Sequence, residues 1–349
     1  MGMPSINITF TELAKTAIER AGAKTVGLIV PEVGEKLILA PGDTVPDTVK
    51  EQNKEQVQLA MLGGIEQPKK VIVLFAGENF TGLDAALKET ENEKIDYLAL
   101  AGSEEGAAEK VATFVKAQRE AGGTIKAVLP NQAADTEGVI NYTTDSITSN
   151  EKEFTTEQYC GRIAGMLAGT PVTSSCTYYL LKEASDCSRI TKEEQDAAVE
   201  SGELIAFYDA GDVRIARGVN SLTTKTETKG DQHKKIKIVD IMDTIKEDIR
   251  KTIHNDWIGK KVNTYDNKCL LVSAIQNYMD ELVRSGVLSE AKVEIDTEAN
   301  KRYLNGYGTD TTELSYEELK KANTGEDVFL KAAIKIVDAI EDITIEITI

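Results

Sequence analysis

The last eight residues, Asp342-Ile343-Thr344-Ile345-Glu346-Ile347-Thr348-Ile349, alternate four isoleucines with polar side chains up to the end of the chain. Period-two alternation is the pattern of a half-buried β-strand, and β-branched isoleucine suits it. Such a strand spans roughly 26 Å at about 3.3 Å per residue. Each isoleucine gains roughly 1.5–3 kcal/mol when fully buried. Chain ends fray unless something holds them, so this tail requires a sheet that receives it. That sheet belongs either to the same subunit or to a neighbour that accepts an added strand, and periodicity leaves both open. The opening stretch Ser5–Phe10 repeats the pattern, with Ile6, Ile8 and Phe10 alternating with polar residues. Two strand-like ends on one chain favour exchange between subunits. Exchange between identical subunits is heterologous and can build rings and helical arrays.

Between these ends, 349 residues suffice for two domains. After a short joint over residues 11–20, strands and helices alternate from about Thr25 to Thr143. Strands are predicted at Thr25–Val30, Val71–Phe75, Tyr97–Leu100, Thr124–Leu129 and Val139–Tyr142. Helices are predicted near Asp47–Leu62, Gly82–Thr90 and Glu104–Ala121. This order predicts an α/β domain with a largely parallel sheet. A Ser/Thr/Asp/Asn-rich stretch, 143–153, reads as a boundary. Capping boxes at Thr155, Thr191 and Ser315 open three helices. Glu203–Tyr208 and Val213–Arg217 read as a hairpin. Ile238, Ile241, Met242, Ile245, Ile249 and Ile253 form one apolar helical stripe, and Leu271, Ala274, Ile275, Tyr278 and Leu282 another. Lys292–Ile295 and Val328–Ile336 are strands, the latter carrying Val328, Leu330, Ala332, Ile334 and Ile336 in alternation. The expected fold is α/β plus α+β: an arm over 1–20, an α/β domain over 21–150, an α+β domain over 151–336 and an arm over 337–349. No internal repeat or low-complexity tract interrupts it.

Bulk properties exclude several functions. The longest apolar runs, such as Val71–Ala76, are too short to span a membrane. The N-terminus has neither the charged start nor the apolar stretch of a secretory signal, so synthesis in a cytoplasm is expected. A net charge of −18 repels phosphate backbones, so nucleic acid is not an expected partner. One stretch departs from this. Asp231–Lys261 holds eight basic residues, including Lys234, Lys235, Lys237, Lys246 and Arg250, against six acidic ones. It fits contact with an acidic protein surface, or equally a solvated helix face of mixed charge.

Sites of chemistry are weak. The four cysteines lack metal or redox spacing and read as reduced, mostly buried thiols. The two histidines give little for a metal centre. The turns after the second and third predicted strands, Ala76–Gly82 and Ala101–Gly106, contain spaced glycines. They also put Glu78, Glu104 and Glu105 where a phosphate would sit. Thr173-Ser174-Ser175-Cys176-Thr177 is hydroxyl-rich but has no nucleophile elbow. No cofactor, metal or catalytic residue is assigned. An α/β enzyme or small-molecule-binding protein with a site within 25–143 remains the alternative.

Several strings resemble the tail sheath proteins of contractile phages and R-type bacteriocins, especially those of Gram-positive bacteria. They are Arg162-Ile163-Ala164-Gly165-Met166-Leu167-Ala168-Gly169-Thr170-Pro171, Val213-Arg214-Ile215-Ala216-Arg217-Gly218-Val219-Asn220-Ser221-Leu222-Thr223-Thr224, Lys235–Asp243 and Ile258–Asn263. The opening Pro4–Ile8 and the end from Val328 also match. The resemblance covers roughly 1–30 and 155–349, with 30–150 similar only in general character. It implies a structural subunit, not an enzyme. Hexameric rings of sheath stack helically around an inner tube, between baseplate and terminator proteins, in an extracellular tail or bacteriocin particle. It implies inter-subunit arms at Ile6, Ile8, Phe10, Ile343, Ile345, Ile347 and Ile349. Val328, Leu330, Ile334 and Ile336 are then expected on the receiving strand, and the basic stretch is expected to face the tube. The α/β domain is expected to lie outward.

Overall fold

The computed structural model describes residues 23–102 and 104–348. Ile6, Ile8, Phe10 and Ile349 lie outside them. The chain forms two compact units, one of residues 21–243 with 338–349, the other built around 244–337.

In the larger unit, apolar runs make β1 (Thr25–Val30), β2 (Leu37–Leu39), β3 (Lys70–Phe75), β4 (Tyr97–Leu100), β5 (Lys126–Pro130) and β6 (Val139–Tyr142). Helices α1 (Glu51–Met61), α2 (Leu83–Thr90) and α3 (Ala107–Glu120) connect them. With β10 (Glu203–Leu204) they form a seven-stranded sheet in the order β10-β6-β5-β4-β1-β3-β2. Every pairing is parallel except that of edge strand β2. Parallel strands are covered on both faces, and β1 shows it: all six of its residues are buried. Val26, Leu28 and Val30 join one apolar cluster while Ile29 joins the other. The first cluster includes α1 residues and α4 (Thr156–Ala168); the second includes α2 and α3.

The close crossing of α4 and α1 explains part of one resemblance string. A Cβ on Gly165 would stand 2.0 Å from the Ala60 carbonyl oxygen, and one on Gly169 would stand 1.9 Å from that of Glu66. Only glycine admits such an approach.

The stretch 143–153 is not a linker. It forms β7 (Ser146–Ser149) and the start of β8 (Lys152–Thr155), which assemble with β9 (Ala184–Cys187) in the order β8-β7-β9. Ile147 and Phe154 enter the same core as α4. The division of the chain therefore falls after Asp243, whereas composition placed it near 150. After α5 (Lys192–Glu200), the stretch expected as one strand splits. Glu203–Leu204 joins the large sheet, and β11 (Ala206–Asp209) pairs with β12 (Asp212–Ile215) across Ala210 and Gly211, both at positive φ.

Buried charges tie the first turns of α6 (Ile236–Asp256) into this unit. Asp240 lies 2.6 Å from Lys24 Nζ and 3.1 Å from Lys126 Nζ, and accepts a hydrogen bond from the Tyr97 hydroxyl at 2.7 Å. Asp243 receives Arg119 at 2.9 Å and Lys126 at 2.8 Å. Burial alone would raise the Asp240 pKa, but Lys24 and Lys126 hold it below the usual carboxylate range. Lys126 stays charged for the mirror-image reason: Asp243 and Asp240 outweigh its burial.

The smaller unit contains the rest of α6, α7 (Tyr265–Arg284), β13 (Leu288–Ile295), α8 (Thr297–Gly306), α9 (Tyr316–Lys321) and β14 (Leu330–Ile336). Its second helix buries the predicted stripe Leu271, Ala274, Ile275, Tyr278 and Leu282.

Candidate assembly interface

The smaller unit carries a sheet of only two strands. β13 and β14 run antiparallel, with Ile295 opposite Leu330, Val293 opposite Ala332 and Ala291 opposite Ile334. Alternation sorts the side chains onto two faces. Leu288, Val293 and Ile295 are buried, β13 packing on α7. The other face is ionic: Glu294 lies 2.8 Å from Lys292 and 3.0 Å from Lys331.

β14 is poorly covered. Leu330 and Ile336 are half-buried, and the five residues between them are exposed, Ile334 by 37%. Val328, just before the strand, is exposed as well. The Asp296 N–H donates to the Phe329 carbonyl at 2.9 Å, which fixes the phase of the ladder. Lys331, Ala333 and Lys335 turn their backbone groups toward β13; Ala332 and Ile334 turn theirs away. Among the described residues no strand pairs with that outer edge.

Among the described residues, the tail beyond Val337 forms no strand within the subunit. Ile343, Ile345 and Ile347 are 74%, 76% and 81% exposed. Its root, by contrast, is held within the larger unit. Glu341, only 10% exposed, accepts from Thr177 Oγ1 at 2.6 Å, with Ser175 Oγ 3.1 Å from the same oxygen. Arg217 lies 2.6 Å from both carboxylate oxygens of Asp342 and 3.5 Å from Glu341. Asp338 pairs with Lys235. Burial weighs against the Asp338 charge, yet Lys235 and the Ala339 amide keep its pKa low. The Asp342 carboxyl is lowered by Arg217.

The hydroxyl cluster at 173–177 thus serves as a seat for the tail root, a role that sequence reasoning missed. The available signal was Arg217-Gly218, inside a resemblance string: Gly218 N–H donates to Thr177 Oγ1 at 2.9 Å beside it. The basic stretch divides. Lys235 faces the root through Asp338, and Lys237 is half-buried, its pKa lowered by burial despite the nearby Asp338 and Glu341. Lys234 stands 3.8 Å from Asp231; Lys246 and Arg250 are exposed on α6, with Arg250 3.0 Å from Glu247.

The subunit thus carries an exposed apolar tail and, among the described residues, a strand edge with no partner. Comparison with known proteins gives the family. Residues 79–221 match the phage tail sheath protein central domain and residues 228–349 the phage tail sheath C-terminal domain. The chain is 38% identical to the tail sheath protein of Clostridium phage phiCD119 over 99% of both chains. A sheath tail protein of Desulfitobacterium hafniense superposes with a TM-score of 0.71 at 17% identity, covering 84% of this chain and 94% of that one. The contracted helical sheath of the anti-feeding prophage gives 0.72 at 14% identity, covering 100% and 99%. The chain belongs to the phage tail sheath protein family. It is a structural subunit of a contractile sheath, and the enzyme alternative falls with that assignment. The relationship extends through the α/β domain, where the strings had matched only in general character.

Proposed function

We propose that this sheath polymerises by handing the Asp342–Ile349 tail of one subunit to the open edge of β14 in the next. The observation that carries the reading is the coexistence of three described isoleucines in solvent with an unpaired β14 edge. The two are complementary in pattern. A strand laid along β14 with Ile343, Ile345 and Ile347 on the α7 side extends the apolar face of Leu330, Ala332, Ile334 and Ile336. It then sets Thr344, Glu346 and Thr348 beside Lys331 and Lys335. Ile6, Ile8, Phe10 and Ile349 complete the exchanged arms.

Rings of six subunits stack around a tail tube, with Lys234, Lys246 and Arg250 facing it and Lys235 and Lys237 linking that face to the tail root. The α/β unit lies outward. Baseplate and terminator proteins close the two ends. The subunit is made in the bacterial cytoplasm and works in an extracellular phage tail or bacteriocin. The extended sheath is a kinetically trapped lattice; its release lets subunits slide into a shorter, wider array that drives the tube through an envelope. The exchanged arms keep the lattice connected throughout, and 337–341 is the joint. Deleting Asp342–Ile349 tests this. The truncated subunit should fold and form no tubes or rings by negative-stain microscopy. Unfolding of the truncated chain would return the tail to its own core.

A further inference from the structure

A two-stranded sheet offers two edges, and the outer edge of β13 is already occupied by a side chain. Gln276, half-buried on α7, accepts a hydrogen bond from the Val293 N–H at 2.8 Å through its Oε1. Its Nε2 donates to the Ala291 carbonyl at 3.1 Å. Asp280, one turn further along α7, lies 2.8 Å from the same Nε2 and fixes which way the amide points. Ala291 and Val293 are the residues whose backbone groups face away from β14, so this one amide takes the place of a neighbouring strand's peptide. Nothing comparable covers Ala332 and Ile334 on the other edge among the described residues.

We infer that Gln276 is a specificity-determining plug: it closes the β13 edge, so that a strand from a second copy of this chain adds only along β14. The inference rests on the strand-exchange reading above and adds its polarity. A sheet open at both edges could accept the same arm in two places and two directions, which would scramble a lattice. Sealing one edge leaves a single docking site. Burying a peptide N–H and C=O against an incoming strand first requires breaking both Gln276 bonds, whereas the β14 edge only exchanges water.

Disulfide trapping in the assembled polymer tests it. Lys292 on β13 and Ala333 on β14 are directly opposed and both exposed. Adjacent strands bring Cβ atoms to about 4.5–5.5 Å, while strands two apart stand near 10 Å, beyond disulfide reach. In a Cys269→Ser background, Thr344→Cys, Glu346→Cys and Thr348→Cys are each combined with Ala333→Cys or Lys292→Cys. The expected result is inter-subunit cross-linking at Ala333→Cys alone, with cross-links at Lys292→Cys appearing once Gln276→Met is added. Hydrogen exchange on the unaltered chain reads the same point without substitutions. Assembly should protect the Ala332 and Ile334 amides and leave Val293 as protected as it was in the free subunit.

Cross-linking at Lys292→Cys with Gln276 in place, or a gain of protection at Val293, would overturn the polarity while leaving strand exchange intact. An unchanged pattern in Gln276→Met would overturn the role of Gln276. Polymers with no cross-link at either edge would overturn the exchange reading itself.

Discussion

The two principal sheets end in opposite ways. The seven-stranded sheet tapers to three residues at β2 and two at β10, and short edges discourage further pairing. The β13–β14 sheet has long strands of eight and seven residues, with an amide bonded along one edge and, among the described residues, no strand pairing with the other. One sheet is finished within the subunit, its strands buried on both faces. The other has one edge with no partner among the described residues, and we propose that the tail of another copy supplies the strand it lacks. On that proposal, apolar burial stabilises the fold in one sheet and the assembly in the other.

Substitutions should separate these roles. The largest effect is expected from Ile345→Asp, which places a charge at the centre of the exchanged strand. Sedimentation should show polymer lost altogether, while the free subunit melts as before, since exposed positions usually change stability by no more than about 0.5 kcal/mol. Next is Lys126→Met in the finished region. It leaves Asp240 and Asp243 short of a buried partner and should cost roughly 3–5 kcal/mol in urea unfolding of the subunit. Leu98→Ala, at the fully buried centre of β4, should cost roughly 2–5 kcal/mol by the same measurement.

The finished region was also the more legible in sequence. Its buried parallel strands are near-continuous apolar runs, so Thr25–Val30 and Tyr97–Leu100 were readable to the residue. The 143–153 stretch was not, because Ser146–Ser149 and Lys152–Thr155 place few apolar residues among many polar ones and owe their strands to pairing. Alternation exposed the tail and β14, but it gives no sign of which edge is open. That depends on Gln276 meeting β13 across a helix packing, a contact invisible to periodicity. The seat of Glu341 was missed likewise, since Thr177 and Arg217 meet only through the fold.

Acid should distinguish the two regions further. Asp240 and Glu137 are buried and Glu183 is half-buried, and their cationic partners hold each pKa below the ordinary range despite the cost of burial. Because the folded values lie below the unfolded ones, near 4, the stability they contribute is present above about pH 4 and lost as pH falls through the folded values. Melting temperature should therefore be flat down to about pH 5 and then decline, and Asp240→Asn should shallow the decline. The smallest effect is expected at the tail root. Arg217→Ala removes a solvent-exposed pair with Asp342 and should cost the subunit at most about 1 kcal/mol, while light scattering should show slower polymer growth.

A cryo-EM reconstruction of the assembled sheath shows directly where the tail goes. Strand exchange requires Ile343–Ile347 hydrogen-bonded along Ala332 and Ile334 of an adjacent subunit, with the β13 edge still held by Gln276. Density showing the tail folded back onto the subunit that owns it, with no strand crossing between copies, would contradict it.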